Sequence, residues 1–363
     1  MKINYVLFST TLTGGVRVLL EIANGLVSRG HEVTITSIGS PDDHKWFPLK
    51  AKINYVPSNK LVRRIESGLN KILGIKVYPY SEIEKLARLI PDCDINVATF
   101  CLTAFSVFRS GKGVTFYHMQ HYEPLFFNDT YSKKLAEETY YLPLNKIANS
   151  IWLKNLMKEK YGYDLPIVNP AIDHNVFYPR NAQKTGNKFR VLCFGKQTRW
   201  KGFPEALQAM ELVMKKRNDV EFIAYGMERP SYKSSIPYTF IKSPSDDELA
   251  KLYSSADVMI CPSWYESFPL FPLEAMACGA PVVTTPYGTE DYAFHEKNCL
   301  VVPPKDPRAL ADAVLRLLDD EDLREEFKKE GPKTARQFTW DKTVDRVESL
   351  FKHAISTNEK AGA

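Results

Sequence analysis

The sequence predicts an α/β chain of two domains, each built on a parallel sheet. Three observations carry this. A length of 363 residues is long for one hydrophobic core. Strand, loop, helix and strand follow one another as a repeated unit, most plainly over 258–284. The same order also restarts after the polar, aperiodic stretch 179–188 (PRNAQKTGNK), which reads as a linker. The expected domains are residues 1–180 and 181–344, with a closing helix over about 345–363 packing back on the first.

Composition is ordinary for a globular protein. The net charge of +5 lies wholly in residues 1–180. That suits an anionic substrate or surface, but it is too diffuse to point to nucleic acid. The six cysteines are scattered without a Cys-x-x-Cys, which reads as buried reduced thiols in a cytoplasmic chain. No apolar run approaches the length that spans a bilayer. A first strand that begins at once leaves no room for a leader peptide.

The first strand runs to Ser9 and the turn TTLTGG follows. A helix is predicted over Val16–Arg29, stopped by Gly30, then a strand over Glu32–Ile38. The turn is not Gly-x-Gly-x-x-Gly, so a nicotinamide cofactor is not indicated. Gly14 and Gly15 still let a ligand approach the backbone ahead of a helix N-terminus. Residues 59–77 form an apolar helical stripe ringed by Lys60, Arg63, Arg64, Lys71 and Lys76. Such a helix either packs on its own domain or lies on an anionic membrane surface.

Strands are predicted over Asp94–Phe100 and Gly113–Tyr117. His118, His121 and Glu123 follow the second and are candidates for contacting a reacting sugar, with no third partner spaced for a metal. A short strand, Lys146–Ser150, leads into a helix over Ile151–Tyr161, and Ile167–Asp173 reads as a strand. In the second half, strand Phe189–Phe194 enters the loop GKQTRWKG, where Lys196, Arg199 and Lys201 gather positive charge suited to a diphosphate. Helix Phe203–Lys216, strand Val220–Tyr225 and helix Asp246–Ser255 come next.

Strand Val258–Cys261 then opens PSWYESFPLFPLEAMACGAPVVT. Its helix is expected to start near Phe268, with Pro269 and Pro272 in the first turn, where a missing N–H costs little. Amides at Phe268 and Leu270 would face an anion, and Glu274, one turn on, would accept hydroxyl donors. Glu266 and Glu274 as mere helix-start charges is the competing reading. Strand Asn298–Pro303 and helix Asp306–Leu318 follow, helices continue through 350, and the last ten residues are expected to fray.

With these pieces placed, nearly the whole chain resembles family 4 of the glycosyltransferases. The matching stretches are GGVRVLLEIANGLVSRGHEVTI, IANSIWLKNLMKEKYG, FGKQTRWKGFPEALQAM, the run from DDELAKLYSSADVMIC through the paired glutamates to TTPYGT, and NCLVVPPKDPRALADAVLRLLDD. The resemblance implies the GT-B fold, two Rossmann-like domains with a cleft between them. It implies transfer of a hexose or deoxyhexose from a nucleotide-diphosphate donor to a glycan or lipid-linked acceptor, with retention and without a metal or other cofactor. In that reading Gly15 offers its N–H to the donor phosphates, Lys201 binds the diphosphate, Glu274 holds the ribose and Glu266 meets the transferred sugar. Ser267, Phe268 and Leu270 line the donor loop, and His118 or His121 is the active-site histidine.

The chain departs from the family in places. Lys196 stands where an arginine is usual, keeping the charge but losing the bidentate fork. Pro269 stands where glycine is usual and removes a donor. The run QHYEPLFF is similar to a segment of bacterial polysaccharide rhamnosyltransferases. On the same architecture a phosphorylase, a nucleotide-sugar epimerase or a non-catalytic partner of a glycan-assembly complex are the alternatives. A cytoplasmic place, with peripheral association at the membrane face, is the expected location.

Overall fold

The computed structural model describes residues 1–56, 80–182 and 186–362. The chain forms two compact units. One comprises residues 1–149, 153–169 and 340–363, the other residues 150–152 and 170–339. The predicted basic helix over 59–77 lies outside the described residues.

The first unit holds strands β1 (Lys2–Leu7), β2 (Glu32–Ile38), β3 (Lys52–Val56), β4 (Ile95–Ala98), β5 (Val114–Met119) and β6 (Asn145–Ala148). They pair in the order β3-β2-β1-β4-β5-β6, all parallel. The second holds β7 (Phe189–Phe194), β8 (Val220–Gly226), β9 (Thr239–Lys242), β10 (Val258–Cys261), β11 (Val282–Thr284) and β12 (Leu300–Val301). Its order, β12-β11-β10-β7-β8-β9, is the same pattern and again all parallel. In both sheets the strand order reverses beside the first strand, between β1 and β4 and between β7 and β10. Loops leaving strands at such a point diverge and open a crevice.

Burial on both faces explains the apolar strands. In the second unit Val191, Cys193, Phe222 and Ile260 pack in one core cluster that includes Phe203 and Val314. Their alternates Leu192, Ile223, Tyr225 and Met259 pack in another with Tyr253 and Leu273. The first sheet carries a polar exception. Asn4 Nδ2 donates to Asn96 Oδ1 (3.0 Å), Thr36 Oγ1 donates to Asn4 Oδ1 (2.8 Å), and all three residues are fully buried. A one-residue slip would strand these groups, so the network holds β2, β1 and β4 in register.

Several elements differ from expectation. Helix Gly14–Ser28 begins two residues early because the Thr13 hydroxyl accepts from the Val16 N–H. Ile167–Asp173 contributes only an isolated bridge between Ile167 and Ala148, since Pro170 supplies no N–H for a ladder. Strands β3 and β9 and helices Tyr80–Leu89, Cys101–Ser110 and Thr130–Glu138 had no counterpart in the sequence reading.

The tail does not fray as expected. Helix Trp340–Gly362 is continuous and packs on helix Gly14–Ser28 in the first unit. A Cβ on Gly25 would lie 2.4 Å from Val344 Cγ2, so glycine is what permits the close approach. Glu348 accepts from Arg29 (3.0 Å), pairs with His31 (3.1 Å), and Phe351 packs on Phe116.

Candidate active site

In the second unit the loops after β7 and β10 meet. A short 3-10 turn, Arg199–Lys201, ends at Gly202, whose φ of 72° lies in the left-handed region. A Cβ there would sit 1.9 Å from the Pro262 carbonyl oxygen, so only glycine lets the two loops touch. The Trp264 N–H donates to the Trp200 carbonyl (2.7 Å), and the two rings Trp200 and Tyr265 stack. One residue on, the Lys201 ammonium and a Glu266 carboxylate oxygen are 2.6 Å apart, with their side chains 19% and 11% exposed. The Ser263 hydroxyl donates to that same oxygen at 2.8 Å. A third loop closes behind. The Glu266 N–H donates to the Tyr287 carbonyl, and a Cβ on Gly288 would lie 2.4 Å from the Glu266 carbonyl oxygen.

Lys201 and Glu266 line a small pocket with Phe194, Ser263, Pro269, Phe271, Thr285 and Thr289. Lys196 is exposed, within reach of the charges of Lys201 and Glu266. Desolvation first, and the like charge of Lys201 second, hold its ammonium below the ordinary lysine range, while Glu266 opposes them. Arg199 is engaged elsewhere. It pairs with Glu205 at 2.8 Å and lies over the Trp264 ring, which Lys305 also approaches.

The helix carrying Glu274 spans Leu270–Ala277, two residues later than expected. Phe268 precedes a proline, which disfavours helical backbone there. Pro269 is the N-cap in extended conformation, and its carbonyl accepts from the Tyr292 hydroxyl at 2.6 Å. The Phe268 amide is therefore not part of the helix end, and its ring packs edge-on against Tyr292. With Pro269 and Pro272 lacking N–H, Leu270 and Phe271 carry the first-turn donors. Glu274 is buried beside a tyrosine pair. The Tyr253 hydroxyl is 3.4 Å from Oε2 and 2.6 Å from the Tyr225 hydroxyl. Ser267 is buried with its hydroxyl 3.4 Å from that of Ser150.

In the first unit, Gly14 and Gly15 open their helix at the switch point. A Cβ on Gly15 would come within 3.1 Å of Gln120 Oε1, so this turn abuts the exit of β5. His118, next to last in that strand, is buried, its Nδ1 without a hydrogen-bond partner among the described residues. Desolvation pulls its imidazole down to about 4, leaving it neutral. His121 Nδ1 lies 3.2 Å from the Tyr122 carbonyl, and its ring packs on Phe126.

Glu123, a candidate sugar contact in the sequence, is enclosed by groups of its own unit. Its carboxylate is 2% exposed and accepts from the Tyr117 hydroxyl (2.8 Å) and from the Cys101 N–H (2.6 Å). Its own N–H donates to the Tyr140 hydroxyl, so it ties the segment after β5 to the start of helix Cys101–Ser110. Burial pushes its carboxyl up to about 7 from a usual 4.5, against the pull of the Tyr117 and Cys101 bonds. A carboxyl with a raised folded value adds stability below 4.5 that is lost as pH rises through 7. Between pH 4.5 and 8, wild type should lose up to about 3 kcal/mol relative to Glu123→Gln. Urea unfolding of both proteins across that range checks this, and parallel pH profiles would refute it.

Ser263, Thr285, Thr289, Tyr292 and Gly288 had gone unnoticed as site residues. Gly288 sits in a Pro-Tyr-Gly-Thr turn that could have marked it, whereas the others carry no local signal. Among the described residues, no group of three or more His, Cys, Asp or Glu is placed to hold a metal ion.

Residues 188–320 match the family model described as glycosyl transferases group 1. Over that stretch the chain is similar to the group 1 glycosyl transferases. It is 30% identical over 234 residues to a D-inositol 3-phosphate glycosyltransferase of Corynebacterium urealyticum, covering 56% of this chain and 55% of that protein. It is 30% identical over 268 residues to the O-antigen biosynthesis protein RfbC of Myxococcus xanthus, covering 71% of this chain and 21% of that one. The chain thus spans about half the length of the first relative and about a fifth of the second. Among solved structures, sucrose-phosphate synthase of Thermosynechococcus elongatus matches with a TM-score of 0.80 at 16% identity, covering 98% of this chain and 100% of that one. Anabaena Alr3699/HepE, solved with UDP and glucose, matches at 0.76 and 17%, covering 97% and 99%. At such identities the likeness establishes the fold, which is GT-B. No described helix is long and apolar enough to cross a membrane.

Proposed function

We propose that the protein transfers a sugar from a nucleotide-diphosphate donor to a glycan or lipid-linked acceptor, with retention and without a metal. The observation that carries this reading is the Lys201–Glu266 pair at the mouths of β7 and β10, with Leu270 and Phe271, whose amides open the following helix, next along the chain and Phe271 lining the same pocket. Bond cleavage at the anomeric carbon moves an electron pair onto the leaving diphosphate. Lys201 and Lys196, with those amides, stabilise that charge where it develops. Glu266 faces the sugar as it gains positive character, and Glu274 accepts from the ribose hydroxyls. Arg199 adds charge at the donor loop while holding Glu205. Ser267 and Phe268 shape the loop rather than donate from a helix end. In the first unit the amides of Gly14 and Gly15 are assigned to the donor phosphates, and one of His118 and His121 to the reacting sugar.

The choice of UDP as first probe is supported by Anabaena Alr3699/HepE, which was solved with UDP-glucose. A glycan acceptor is supported by the O-antigen name of RfbC. Glu274→Ala should weaken binding of UDP or a UDP-sugar about tenfold or more, because the ribose loses its buried acceptor. Isothermal titration of both proteins measures it, and equal affinities would remove the assigned role. A thermal-shift screen of UDP-, GDP-, ADP- and dTDP-sugars identifies the base and sugar, since a ligand of the folded state raises the melting temperature.

A further inference from the structure

We propose that Ser263 is a positioning residue for this site, one that aims the Glu266 carboxylate and through it the Lys201 ammonium. The inference rests on the transferase reading for its kinetic meaning. Its structural basis is independent of that reading.

Two donors converge on one oxygen. Ser263 Oγ and Lys201 Nζ stand 2.8 and 2.6 Å from Glu266 Oε1. Lys201 and Glu266 are far apart in sequence and sit on different loops, and the carboxylate anchors the ammonium across the gap at 2.6 Å. A carboxylate on a flexible side chain holds a lysine in place only if its own rotamer is held. Ser263, itself 9% exposed, supplies that hold.

The serine is in turn tied down. Its carbonyl accepts from the Thr285 hydroxyl at 2.6 Å, and the Thr285 carbonyl accepts from the Thr289 hydroxyl at 2.7 Å. With Glu266 N–H donating to the Tyr287 carbonyl, the loop after β10 is fastened to the loop after β11 at two points around one residue. Ser263, Thr285 and Thr289 all line the pocket that Lys201 and Glu266 line. Charge stabilisation of a leaving group depends on a donor held within about 0.5 Å of its working place, so a loosened carboxylate lowers turnover more than binding.

The test uses the full chain with Ser263→Ala and Ser263→Thr. Ser263→Ala should lower kcat about 10- to 100-fold with KM for the nucleotide-sugar and affinity for UDP each within about threefold. Ser263→Thr, which keeps the hydroxyl, should recover most of the turnover. Loss of UDP affinity and melting temperature in proportion to turnover, or wild-type kcat in Ser263→Ala, would overturn the proposal. A second readout needs no substrate. Lysines are ¹³C-methylated and the Lys201 signal is assigned with Lys201→Arg. Ser263→Ala should shift that signal and Ser263→Thr should leave it in place. An unmoved signal defeats the positioning role. A moved signal in a protein that turns over no nucleotide-sugar defeats the transferase reading alone.

Discussion

Lys201→Ala is expected to lower sugar transfer by at least about 10³-fold, some 4 kcal/mol of barrier. Two losses combine. The leaving diphosphate loses the cation nearest the pocket, and Glu266, mostly buried, loses its counter-charge. A buried carboxylate without its partner is costly and also repels the anionic donor. Lys201→Arg keeps the charge but replaces a compact ammonium with a planar fork that cannot occupy the same 2.6 Å contact unchanged. It should recover only part of the activity. Single-turnover measurement of nucleoside diphosphate release gives the comparison, and wild-type turnover in Lys201→Ala would sink the leaving-group role.

The second large effect is expected at two glycines. In Gly202→Val and Gly288→Val the new Cβ falls 1.9 Å from the Pro262 carbonyl oxygen and 2.4 Å from that of Glu266. Both positions also hold positive φ, 72° and 87°. The obstacles are backbone atoms, so no side chain can swing aside. Each substitution should cost at least about 3 kcal/mol and separate Lys201 from Glu266. Gly279→Ala is the control. Its φ of 79° is similar, but a Cβ there meets nothing closer than 3.8 Å, so only the strain of about 1 kcal/mol remains. Thermal unfolding ranks the three. A Gly288→Val protein as stable as Gly279→Ala would mean the loops do not close around Glu266 as described.

Much of the fold is written locally. Apolar runs bounded by glycine and proline set β7, β8 and β10, and the Ser245 cap with Glu248 starts its helix where the sequence places it. The spacing of Glu266 and Glu274 puts both at one loop-to-helix passage for the same reason. Loci set by competition were harder to read. The helix after β10 starts at Leu270 because a residue before proline resists helical backbone and the Tyr292 hydroxyl takes the Pro269 carbonyl. Tyr292 lies well down the chain from Pro269, and no local pattern announces it.

What the sequence determines by itself is the alternation of strands and helices, the two-domain division in outline, and the residue types able to bind a diphosphate and a diol. Periodicity, capping and turn chemistry act over a few residues, so they are legible in a linear string. Tertiary structure decides how those residues are used. It turns Arg199 toward Glu205 and Trp264, and encloses Glu123 among Tyr117, Tyr140 and Cys101. It brings Ser263 and Lys201 to one oxygen of Glu266. The meeting at Glu266 depends on the parallel crossovers that place the loop after β7 beside the loop after β10, and on a glycine small enough to let them touch.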